Sequence, residues 1–84
     1  MVKHGEYVAI FNSIHRVMKA EKLLKERRLQ ILLIPAPRAL TSDCGLAIRY
    51  DGEARAAVEE AMAAAGVMPE EIYLKDGEEY KRIA

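Results

Sequence analysis

A thiol is the strongest nucleophile among ordinary side chains near neutral pH, and this sequence holds a single one, Cys44. It stands in the segment PAPRALTSDCG, residues 35–45. The thiolate is the reactive form. It titrates near ~8.5 when unperturbed, and a helix N-terminus or a neighbouring cation brings that down. Arg38 lies in the same segment and His15 elsewhere in the chain, and either could be such a cation. Gly45, lacking a Cβ, permits close approach of a partner's backbone or of a bulky sulfur adduct. Ser42 and Asp43 could orient backbone amides around the sulfur, although a carboxylate beside a thiolate raises its pKa. A lone cysteine is often only a small buried hydrophobe. The polar Ser-Asp-Cys-Gly surroundings point instead to a functional thiol.

Other chemistries have less to work with. One cysteine and two histidines, with His4 close to the N-terminus, fall short of the four ligands of a structural zinc site. No metal site is expected unless a dimer pools ligands, and no cofactor is expected. Cys44 and His15 could form a nucleophile–base pair, but no third orienting residue is evident. A carrier or binding domain is therefore expected rather than an autonomous enzyme. Lysine plus arginine count 13, as do aspartate plus glutamate, so the formal net charge is zero. That argues against a general nucleic-acid binder, which needs a net basic face to displace counterions. With one Phe, four Tyr and no Trp, no aromatic platform for single strands is apparent. The longest apolar run, residues 29–40, is broken by Gln30, two prolines and Arg38 and is too short to span a bilayer. With no disulfide partner and no targeting signal in view, the expected compartment is the cytoplasm.

The 84 residues have single-domain length, with residues 1–5 a flexible N-terminus, 6–75 the domain and 76–84 a charged C-terminal tail. Residues 6–12 are apolar and β-prone and predict a first strand. Ser13 then offers a helix N-cap, and Val17, Ala20 and Leu24 recur at helical spacing within 14–28. Residues 29–34 predict a second strand, after which Pro35 and Pro37 end ladder pairing for want of a donor. Residues 46–50 predict a third strand. Asp51-Gly52 marks a turn in which Asp51 could cap a second helix over 53–65. Gly66 is a left-handed stop, and residues 71–75 predict the last strand.

This β-α-β-β-α-β order is the ferredoxin-like split βαβ arrangement. It predicts an α+β fold with a four-stranded antiparallel sheet and two helices on one face. A right-handed crossover runs the first two strands in the same direction, and the third slots between them. The first two strands then end at one edge of the sheet. There the loop over 35–45 meets Asn12, Ser13, Ile14 and His15 at the positive end of the first helix. The second strand is apolar on both sides, so the uncovered sheet face predicts an exposed apolar patch and a homodimer.

Several elements together resemble a known family. They are a Ser-x-His after the first strand (Ser13, His15), AEKLLK over 20–25, IPAPR over 34–38 and SDCGLAIR over 42–49. The pattern is similar to small bacterial domains of undetermined function described as selenium/sulfur carrier protein-like, and it covers roughly residues 7–73. The resemblance implies that Cys44 is a carrier thiol, holding sulfur or selenium as a persulfide or selenopersulfide. It would be loaded by a cysteine desulfurase-like donor and unloaded by an acceptor protein. The alternative is a non-enzymatic regulatory or adaptor domain that binds a protein partner or a small anion through its Pro-x-Pro-Arg loop. A third possibility is a redox-sensing thiol forming a disulfide across a dimer.

Overall fold

Strands and helices follow the hydrophobic periods of the chain: β1 (Tyr7–Ile10), α1 (Ile14–Glu26), β2 (Ile31–Pro35), β3 (Leu46–Tyr50), α2 (Arg55–Ala65), β4 (Glu71–Asp76) and β5 (Glu79–Arg82). The structure is a computed structural model, and it describes residues 2–41 and 45–84. Among the described residues no helix is long and apolar enough to cross a membrane.

α1 begins where Ser13 holds an extended backbone, φ −145° and ψ 131°, the usual geometry of an N-cap. It buries Val17, Ala20 and Leu24, which fall on one face of a 3.6-residue period. Its end is tighter than composition predicts. Arg28 adopts φ 59°, and the Leu29 N–H reaches back to the Leu24 carbonyl at 3.0 Å. This closure usually employs glycine, because an L-residue in left-handed backbone costs about 1–2 kcal/mol. Arg28→Gly is therefore expected to stabilise the fold by about 0.5–1 kcal/mol once glycine's greater unfolded entropy is subtracted. Urea denaturation would show it, and an unchanged or lowered midpoint would contradict it.

α2 starts later than the sequence predicts because a turn comes first. The Ala54 N–H donates to Asp51 Oδ1 at 2.9 Å, so Asp51 closes the turn that leads into the helix. Gly66, at φ 69°, ends α2 as expected, with the Val67 N–H bonded to the Met62 carbonyl at 3.0 Å.

The sheet has the order β2-β3-β1-β4-β5, and each neighbouring pair is antiparallel. β1 and β2 thus run in the same direction on either side of β3, as expected. Among the described residues the strands number five rather than four. β5 lies within the segment predicted to be a charged tail and pairs with β4 from Tyr73↔Arg82 to Asp76↔Glu79. The cause is the two-residue loop Gly77-Glu78 between the paired Asp76 and Glu79, whose first position needs the left-handed backbone that Gly77 takes at φ 62°. His4 is drawn to the same turn, where its Nδ1 accepts from the Gly77 N–H at 2.9 Å.

Alternation along the strands splits the apolar residues between two layers. Ala9, Ile48, Tyr50 and Ile72 face α1 and α2 and join Val17, Leu24, Val58 and Met62 in the main core. Val8, Ile10, Ile34 and Ala47 face the other way. The sequence predicts that this second face lies bare. Instead these four residues are buried, with Val2, Ala36, Leu40, Tyr73 and Tyr80 packed over them. Val2, the segment after β2 and the added β5 supply most of that cover, while Leu32 of β2 stays 46% exposed.

Candidate functional site: a cavity at the N-terminus of α1

Because β1 and β2 point the same way, the β1–α1 junction and the segment after β2 meet at one edge of the sheet. A cavity of about 190 Å³ opens there. Ile10, Phe11, Asn12 and Ser13 from the junction, with Ile14 and Val17 from the first turn of α1, form one wall. Ala36, Thr41, Gly45 and Leu46 form the other. Its size suits a few water-sized groups, each taking about 30 Å³ in the liquid, and is below the usual range for drug-sized ligands.

Local hydrogen bonds explain how the second wall is held. Pairing of β2 with β3 continues one step past Pro35, through the Ala36 N–H to the Gly45 carbonyl at 2.9 Å. Pro35 therefore does not end the ladder. It occupies an edge strand, where a missing donor costs no inter-strand bond. The chain then folds back on itself, as the N–H groups of Leu40 and Thr41 both donate to the Pro37 carbonyl, at 3.0 and 3.2 Å. Leu40 packs against the second-face cluster, and Thr41 reaches the cavity wall.

Ser13 and Gly45, both expected at the site, line this cavity. Among the described residues, Ser13 forms no side-chain cap hydrogen bond. The first turn of α1 carries no acidic residue, so no carboxylate of that turn offsets the positive end of the helix dipole. A Cβ built on Gly45 would meet nothing within 4 Å, so packing does not require glycine there. His15 and Arg38 are exposed and do not line the cavity. One residue further along a helix rotates the side chain by about 100°, which turns His15 away while Ile14 faces inward. Cys44 and Ser42 lie outside the described residues, as does Asp43. Thr41 and Gly45, which flank them in the chain, stand in the same wall. Thr41 and the apolar lining (Ile10, Phe11, Leu46) were not singled out by sequence reasoning. Their only sequence signal is adjacency to the strand ends.

A second polar cluster lies at the opposite end of the sheet. Tyr7 and Tyr50 are register partners, and their rings stack with centroids 5.6 Å apart and planes 13° apart. The Arg55 guanidinium sits 4.7 Å from the Tyr7 ring centroid and donates to the Tyr7 hydroxyl at 3.2 Å. Glu59 Oε2 accepts from the Tyr50 hydroxyl at 3.0 Å and from Arg55 Nε at 3.1 Å. Burial above all, then the Glu59 carboxylate, pushes the Tyr50 phenol well above its ordinary range. This cluster fastens the start of α2 to the sheet.

Compared with known proteins, residues 6–74 match the model of one family, described as "Putative Se/S carrier protein-like". No curated protein and no solved structure matches the chain.

Proposed function

The chain belongs to the putative Se/S carrier protein-like family, and on that premise we propose that it carries sulfur or selenium on Cys44. The Cys44 thiolate attacks the outer sulfur of a donor persulfide, R–S–SH. A new S–S bond forms to Cys44, the donor's S–S bond breaks, and the donor's inner sulfur leaves as a thiolate. The exchange is redox-neutral, and release to an acceptor thiolate is the same reaction run onward. Selenium takes the place of the outer sulfur in the selenopersulfide form. A cysteine desulfurase-like protein of the cytoplasm is the donor.

The observation that carries this reading is the cavity at the N-terminus of α1. Thr41 and Gly45, the neighbours of the segment that contains Cys44, both line it. A helix N-terminus without acidic residues favours a thiolate or a persulfide anion over the neutral thiol. Ser13 and Gly45, which line the cavity, would bound the space open to the carried sulfur. Arg38 would act as an exposed cation and His15 as an exposed hydrogen-bonding group outside the cavity.

Incubation with a cysteine desulfurase and free cysteine, followed by intact-mass measurement, tests the proposal. The wild type is expected to gain the mass of a sulfur atom, reversed by dithiothreitol, and Cys44→Ala is expected to gain none. An equal gain in Cys44→Ala, or no adduct in the wild type, would sink it.

A further inference from the structure

We propose that the exposed face of α1 is the surface on which an acidic protein partner docks to exchange sulfur, an inference that rests on the carrier reading above. The face begins at the cavity. Ile14 lines that cavity and yet is 55% exposed, and Met18, one turn on, is 43% exposed. Spacing of i and i+4 puts the two side chains next to each other. They form a short apolar ridge leading away from the cavity mouth. His15, Lys19 and Lys22 run beside it along the helix at i, i+4 and i+7, all exposed.

The charge of this element is lopsided. α1 carries four cations (Arg16, Lys19, Lys22 and Lys25) against Glu21 and Glu26, and Arg27 and Arg28 follow directly, in a chain whose formal net charge is zero. The excess is therefore balanced by acidic residues elsewhere, and α1 is the basic pole of the molecule. Among the described residues, Lys25 is paired with Glu21 at 3.0 Å, whereas no ion pair engages Lys19 or Lys22. Unpaired cations around an apolar centre match a partner patch of carboxylates around an apolar anchor, the arrangement that steers protein association.

Other occupants fit less well. A second copy joined by a two-fold axis would set this face against itself, cation on cation. A lipid surface needs a free apolar helix face, and that of α1 (Val17, Ala20, Leu24) is already buried in the core. Nucleic acid would use the cations, but α1 carries no aromatic residue for stacking, and the Ile14–Met18 ridge would go unused.

The rate of sulfur transfer to Cys44 from the host's cysteine desulfurase, compared with transfer from inorganic polysulfide, provides the test. Polysulfide is small and needs no docking surface. The double variant Lys19→Glu/Lys22→Glu and the single variant Met18→Asp change exposed side chains only, and circular dichroism checks their folding. At low salt both are expected to slow loading from the desulfurase about tenfold or more, with loading from polysulfide within about twofold of wild type. In the wild type, added salt is expected to slow the desulfurase reaction far more than the polysulfide reaction. Unchanged desulfurase rates in both variants would overturn the docking surface while leaving the carrier reading intact. A wild type that takes no sulfur from the desulfurase overturns the carrier reading, and the docking surface with it. A single-stranded RNA oligomer that binds the wild type and not the double variant would reassign the face to nucleic acid.

Discussion

Above pH ~10 the protein is expected to lose stability by about 1.4 kcal/mol per pH unit through Tyr50 alone, and Tyr50→Phe is expected to remove that component. The phenol is raised by burial and by Glu59, so the folded state keeps its proton where the unfolded chain, titrating near ~10, has lost it. A group whose pKa is higher in the folded state contributes fully below the unfolded value. Its contribution fades as pH climbs from that value towards the folded one. Nothing from this source should therefore appear between about pH 6 and 9. Tyr73 and Tyr80 are also raised, the first mainly by its hydrogen bond to Glu71 and the second by burial. They are common to both proteins, so the difference between wild type and Tyr50→Phe isolates Tyr50. Below pH ~9 the variant should be weaker by about 1 kcal/mol, the usual net worth of one hydrogen bond. The two curves should then converge, cross near pH ~10.7, and leave the variant about 1 kcal/mol the more stable at pH ~11.5. Urea titrations from about pH 7 to 11.5 would show this, and parallel curves would refute it.

Leu24→Ala is expected to cost about 3–4 kcal/mol. Leu24 is fully buried in the main core between α1 and the sheet, and leucine-to-alanine changes at such sites lose both transfer energy and the filling of space. Domains of this size stand near the lower end of the ~5–15 kcal/mol stability range, so the variant should be partly unfolded at 37 °C. A drop in Tm of about 12 °C or more follows from the scaling for small domains. Leu32→Ala provides the contrast. Leu32 is 46% exposed on an edge strand, and its loss should cost under about 1 kcal/mol. A cost below about 1.5 kcal/mol for Leu24→Ala would mean that α1 is not packed as described.

What could be foreseen in the chain follows from which interactions are local. Helical spacing of Val17, Ala20 and Leu24 predicts α1, and alternation over Leu46, Ile48 and Tyr50 predicts β3 with its core face. The meeting of the β1–α1 junction with the segment after β2 follows from strand direction, which the connection order dictates. β5 was hidden because its residues are charged and only Gly77, opening the two-residue loop after Asp76, announces a hairpin. The cover on the second face was hidden for another reason. Ala36 and Leu40 come from one irregular stretch and Tyr80 from another far along the chain, with no common period, and only tertiary packing brings them together. At the site, a rotation of one helical position decided the outcome, with Ile14 inside the cavity wall and His15 outside. The Tyr7–Tyr50–Arg55–Glu59 cluster depends on strand register, which no spacing rule within a single segment can supply.

The two outer strands of the sheet bear on how the molecule behaves in a crowd. An open sheet invites growth, since each outer strand turns a row of unmet backbone donors and acceptors outwards. Here one border is β2, which closes on Pro35, a residue with no N–H to offer an incoming strand. The other is β5, four residues long and made of Glu79, Tyr80, Lys81 and Arg82, whose charges penalise stacking of identical chains. Both borders thus resist fibril-like extension. A small protein with borders of this kind can accumulate without polymerising through its sheet.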